Sequence, residues 1–253
     1  MLEDYVRARR AQRDVLLMTH IVIGYPNLEQ SMRTVEAMVQ AGVDLMELQI
    51  PFSEPIADGP VILHANQKAL TAGVTVEQCF EFAAEASRRF NIPFLFMSYY
   101  NILFRRGVQG FAKRMAEIGL RGAIVPDLPP EEAQDYLAAM ASHGLDPIFI
   151  FSPNTTDERL AFIAQYARGF VYCVARKGVT GSDTQFSRSL GGYLQRCRAA
   201  TNLPLAVGFG VKEASDVAFL HGKADIAVVG SQSLRVLDER GVPAVGEFVA
   251  GLV

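Results

Sequence analysis

Eight short runs of apolar and β-branched residues recur along the chain, and stretches with apolar residues at helical spacing lie between them. The runs are LLMTHIVI, DLMELQI, PFLFMSY, GAIVPDL, PIFIFS, GFVYCVA, PLAVGF and ADIAVVG. Their hydrophobicity is nearly continuous rather than alternating, which marks parallel strands covered on both faces. The segments EQSMRTVEAMVQAG, VQGFAKRMAEIG, EEAQDYLAAMASHG and DERLAFIAQYARG read as crossover helices, each closed by a glycine suited to a left-handed C-cap. Eight such units within 253 residues predict a (β/α)8 TIM barrel. An open doubly wound sheet would want fewer strands and a GxGxxG after the first, which the chain lacks. Three additions decorate the barrel: a helix before the first strand, an extended loop at 51–60 after the second, and a short helix around 61–71. No linker interrupts the series, so a single barrel domain over 1–253 is expected.

Composition removes several functional classes. Half the residues are hydrophobic and a fifth charged, as in a globular protein with a large core. With 24 basic and 27 acidic side chains, net charge −3 and no basic stripe, nucleic acid is not an expected ligand. The run VRARRAQRD reads as the polar face of a short helix. No apolar stretch of about twenty residues and no signal-like N-terminus is present, so a cytoplasmic protein without membrane contact is expected. Cys79, Cys173 and Cys197 are far apart and read as reduced thiols, and the four histidines lack metal-site spacing, so no metal is expected.

The chemistry of a barrel gathers at the C-terminal ends of its strands. Glu47 sits inside the apolar run DLMELQI. Facing the helix layer it would be a buried, unpaired charge costing several kcal/mol, so its expected place is the inner mouth, as a group that both gives and takes a proton. Asp58, in ADGP just beyond the same strand, is either a second acid of the site or a turn and helix-cap residue. Late in the chain come GVTGS (178–182), GFG (208–210) and VGS (229–231). The last two follow strands seven and eight, where barrels bind phosphate through backbone N–H groups. Ser231 can add a hydroxyl there.

Taken together, ELQIPFSEPIADGPVI, VPDLPPEE, GFVYCVARKGVTG, LPLAVGFGV and VVGSQS resemble, in order and spacing, the α subunit of tryptophan synthase. That resemblance covers nearly the whole chain and implies retro-aldol cleavage of indole-3-glycerol phosphate to indole and glyceraldehyde 3-phosphate. It implies Glu47 as general acid/base, Asp58 as the carboxylate that accepts or stabilises the ring N–H, and Tyr172 as a tyrosine positioning the reacting side chain. Thr180 and Gly181 match a closing loop (178–187). Gly181, Phe209, Gly210, Gly230 and Ser231 match the substrate and phosphate contacts, and Arg176 a basic residue just before the loop. No cofactor is implied in this chain; pyridoxal phosphate would belong to a β subunit, bound in an αββα complex through the loop 51–59 and the region near Asn101.

Three positions depart from the family's usual pattern: Gln49 for glycine, Glu54 for aspartate, and His20 for an aromatic or apolar residue. His20 and Gln49 both carry the inward parity of Glu47, so a hydrogen-bonded His20–Gln49 pair at the pocket wall is expected. The altered wall leaves two other functions compatible with the motifs: an α-like subunit that mainly activates the β subunit, and a different lyase or isomerase acting on a phosphorylated sugar derivative.

Overall fold

The computed structural model describes residues 1–175 and 183–253, with the backbone alone at 183–188. Its chain begins with α1 (Leu2–Arg10), β1 (Leu16–Val22), α2 (Leu28–Gln40), β2 (Leu45–Gln49), α3 (Pro60–Thr71) and α4 (Val76–Arg89). There follow β3 (Phe94–Met97), α5 (Tyr100–Arg106), α6 (Val108–Glu117), β4 (Gly122–Ile124), α7 (Gln134–Ser142), β5 (Asp146–Phe151) and α8 (Asp157–Ala164). The last third holds β6 (Val171–Val174), α9 (Asp183–Ala200), β7 (Leu205–Gly208), α10 (Ala214–Phe219), β8 (Ile226–Val229) and α11 (Ser231–Ala250). All eight predicted strands form, each pairs in parallel with its sequence neighbours, and β1 pairs with β8 to close the barrel. The predicted helix-ending glycines, Gly42, Gly119, Gly144 and Gly169, all have positive φ, between 66° and 96°.

Two helices differ from their sequence pattern. In the EEAQDYLAAMASHG segment only a 3₁₀ turn, Pro130–Glu132, precedes α7, whose regular part starts at Gln134. The DERLAFIAQYARG helix stops at Ala164, and beyond it Arg168 N–H donates to Pro147 O on β5, where the chain turns into β6.

Strand alternation divides the core into two layers. Residues such as Ile21, Met46, Phe96 and Val207 face the helices, and Met18, Leu45, Leu95, Ile148 and Val228 fill the barrel. Leu2 and Val6 of α1 join the inner layer and plug its N-terminal end. The arginines of VRARRAQRD do more than meet solvent. Arg9 and Arg13 pair with the fully buried Asp44 at 2.7 and 2.9 Å, and Arg10 reaches Asp225 at 3.1 Å. Asp44 also accepts from Leu17 N–H at 2.9 Å, so this end of the barrel is stitched by charge while the other is left for chemistry.

Candidate active site

β2 points Glu47 and Gln49 into the barrel at its C-terminal end, and His20 is the direct register partner of Glu47 on β1. His20, Glu47 and Gln49 are 3, 2 and 0% exposed, so three polar side chains share one water-poor wall and each must find a partner or carry the cost. His20 Nδ1 lies 3.2 Å from Glu47 Oε1. Tyr172, reaching in from β6, donates its hydroxyl to the same oxygen at 3.4 Å. Gly208 makes that reach possible: a Cβ there would lie 3.1 Å from both Cε1 and the hydroxyl oxygen of Tyr172.

Asp58 does not cap α3. Gly59 is the N-cap of α3 and no side chain caps that helix. The Asp58 carboxylate turns inward, where Oδ2 accepts from Gln49 Nε2 at 2.6 Å and from the Tyr99 hydroxyl at 3.2 Å. The loop carrying it is pinned at several points. Phe52 N–H donates to the buried Asn66 Oδ1 at 2.9 Å, Ala57 N–H donates to the Tyr99 hydroxyl at 3.1 Å, and the Phe52 and Tyr99 rings stack at 5.0 Å.

The expected His20–Gln49 hydrogen bond is not formed with ordinary geometry, although Gln49 stands close enough to His20 to help hold its proton. Register sets His20 against Glu47 and Gln49 against Val22, so the histidine meets the acid and the amide turns to Asp58. His20 Nε2 and Gln49 Oε1 are buried without a hydrogen-bond partner among the described residues. Sequence reasoning also missed Tyr99 and Asn66. Tyr99 continues the inward parity of Leu95 and Met97, a signal that could have found it; Asn66 shows only as a lone amide on the buried side of α3.

Burial pushes the His20 imidazole down, but Glu47, with smaller help from Asp58 and Gln49, outweighs it and holds the ring above its ordinary value. Burial pushes the Asp58 carboxyl up, and His20, Gln49 and Tyr99 only partly oppose it. The Tyr172 phenol stands well above the usual range because it is buried and then because Glu47 is near, so it donates rather than ionises. The arrangement holds two carboxylates that can exchange protons with one bound molecule.

The late glycines share this rim. A Cβ on Gly230 would lie 3.6 Å from His20 Cβ, which sets the end of β8 directly beside the histidine. Gly230 precedes α11, whose first residue is Ser231, and the early N–H groups of a helix suit an anion. Gly210 has φ +87° with open space beside it, and Phe209 is buried. Arg176, Thr180 and Gly181 lie outside the described residues. Among the described residues no cluster of potential metal ligands occurs and no helix is long and apolar enough to cross a membrane.

The family model for the tryptophan synthase alpha chain matches residues 6–245. The chain belongs to that family. It is 66% identical over 252 residues to the tryptophan synthase alpha chain of Syntrophotalea carbinolica, and 65% identical to that of Desulforapulum autotrophicum, with 100% of both chains covered in each case. It is similar in structure to tryptophan synthase from M. tuberculosis, with TM-score 0.91 and 33% identity over 99% of this chain and 97% of that one. Against the tryptophan synthase alpha subunit of Legionella pneumophila the TM-score is 0.90 at 29% identity, covering 99% of this chain and 96% of that one. The tryptophan synthase alpha chain is a lyase of tryptophan biosynthesis, and cleavage of indole-3-glycerol phosphate is its half-reaction.

Proposed function

We propose that this chain cleaves indole-3-glycerol phosphate with Glu47 and Asp58 as its proton-handling groups. Glu47 takes the proton of the glycerol hydroxyl next to the ring and delivers a proton to indole C3. Asp58 accepts from the ring N–H while C3 is protonated, and the N–H is restored as the carbon–carbon bond breaks. The hydroxyl carbon leaves as the aldehyde of glyceraldehyde 3-phosphate, and the ring itself holds the electrons. Tyr172 positions Glu47 and the reacting side chain. Gly210, Gly230 and Ser231, together with Thr180 and Gly181, hold the phosphate beside Phe209, and Arg176 stands next to the closing loop. His20 and Gln49 form the pocket wall. One observation carries the reading: a buried and a half-buried carboxylate, from one strand and the loop after it, share a rim with the glycine that opens α11.

The same proposal includes a pyridoxal-phosphate β subunit in an αββα complex, a cytoplasmic setting, and the whole chain acting as one domain. Ile56 in the loop 51–59 and Phe104 on α5 are 79 and 69% exposed, and these outward apolar side chains, with the exposed Asn101 nearby, support a partner on that face. The test is indole release from indole-3-glycerol phosphate with and without the β subunit. Release that the partner raises supports the proposal. Faster β chemistry with no release would make the chain an activator instead, and neither would point to another phosphorylated substrate.

A further inference from the structure

Each acid of the site has one oxygen taken by two donors. Glu47 Oε1 has His20 Nδ1 at 3.2 Å and the Tyr172 hydroxyl at 3.4 Å. Asp58 Oδ2 has Gln49 Nε2 at 2.6 Å and the Tyr99 hydroxyl at 3.2 Å. Among the described residues no hydrogen bond reaches Glu47 Oε2 or Asp58 Oδ1. In each pair one donor is a tyrosine from elsewhere in the barrel, Tyr172 on β6 or Tyr99 just after β3, and the other stands on the acids' own wall, His20 opposite Glu47 and Gln49 two residues beyond it.

We propose that His20 and Gln49 are positioning residues, His20 for Glu47 and Gln49 for Asp58, and that they leave Oε2 and Oδ1 as the oxygens that exchange protons with the substrate. This rests on the roles given above to the two acids. A role in stability alone does not account for the pair. His20 Nε2 and Gln49 Oε1 are buried and unpartnered, and a buried polar atom without a partner lowers stability, so an apolar residue of similar size would serve the fold better. Each side chain makes its shortest contact to a carboxylate, and Gln49 Nε2 makes a longer one to Asn66 Oδ1 at 3.5 Å. A carboxylate free to turn would present either oxygen, and misplacing a reacting group by about 1 Å costs about 10²-fold in rate.

The groups facing His20 are Glu47 and Gln49 from β2, Asp58 from the following loop, Tyr172 through Glu47, and the Gly230 backbone at the end of β8. Removing the imidazole therefore takes a donor from a buried carboxylate and frees that carboxylate to turn. The test is steady-state indole release by the full chain with its β subunit present, for His20→Phe, His20→Asn and Gln49→Met. His20→Phe is expected to lose about 10²-fold in kcat with KM little changed. His20→Asn, which keeps a donor near the place of Nδ1, should recover kcat. Gln49→Met should lose kcat by a similar factor.

Parent-like kcat in His20→Phe, or no recovery in His20→Asn, overturns the role of His20, and parent-like kcat in Gln49→Met overturns that of Gln49. Should His20→Phe fail to fold, His20→Leu takes its place: kcat lower than that of His20→Asn with KM little changed supports the role, and equal kcat overturns it. If the parent itself releases no indole, the proposed function fails and this inference with it; parent release with unaffected variants sinks the inference alone.

Discussion

Replacing Glu47 by Gln keeps the volume of the side chain and removes its charge, so it separates chemistry from packing. The amide oxygen can still accept from the Tyr172 hydroxyl, now 3.4 Å from Oε1, and no cavity opens in a residue that is 2% exposed. What is lost is the group that gives and takes the proton, a contribution of about 10²- to 10⁴-fold, or about 3–5 kcal/mol of barrier. Indole release should fall by that factor while a phosphate-bearing ligand still binds. The substitution should also change how stability depends on pH. Because the folded state holds the His20 imidazole above its ordinary value, it binds that proton more tightly than the unfolded chain does. The resulting stabilisation is complete below the unfolded value of about 6.5 and is lost as pH rises through the folded value. In Glu47→Gln the strongest opposition to burial is gone, so the variant's deficit should be larger at about pH 6 than at about pH 9. Urea unfolding at the two pH values measures it. Turnover within about tenfold of the parent would refute the acid/base role, and an equal deficit at both pH values would refute the His20–Glu47 pairing.

Two further outcomes follow from the packing around the site and at the far end. Gly208→Ala puts a methyl 3.1 Å from Tyr172 Cε1 and its hydroxyl, against an ordinary contact of about 3.5–4.0 Å. The ring must shift and its hydrogen bond to Glu47, already at 3.4 Å, should be lost. Lower kcat with a stability loss of about 1–3 kcal/mol is expected, read by indole release and urea unfolding. Asp44→Ala strands Leu17 N–H and unpairs Arg9 and Arg13. It should cost about 3 kcal/mol, the low end for breaking a buried pair because both arginines are partly exposed. Its activity per folded molecule should be unchanged, since Asp44 lies at the end of the barrel opposite the mouth, and a loss of kcat equal to that of a mouth variant would contradict that separation.

Much of the site was legible because its signals are local. A carboxylate in the apolar run DLMELQI has few inexpensive places to go, and the barrel mouth is where Glu47 lies. Gly230 and Ser231 stand where the eighth strand turns into a helix, and Tyr172, which only the family resemblance singled out, reaches the same mouth. The partners of these groups were not legible. Asp58 before glycine reads equally as a cap or a catalyst, and only the inward turn of its loop, held through Tyr99 and Asn66, separates the two. His20 and Gln49 share inward parity, yet parity says only that both face the interior, not which group each one meets.

The sequence alone determined the eight parallel strands, the helices that cover them, the inward face of each strand and the end of the barrel where polar groups gather. These follow from periodicity and from the cost of burying charge, which neighbouring residues express by themselves. Tertiary structure decided that His20 answers Glu47, that Gln49 answers Asp58, and which oxygen of each acid is left open. Those pairings depend on the stagger between β1 and β2 and on how closure brings β6 across to β2. Stagger and closure belong to the eight strands together, and no single run of residues encodes them.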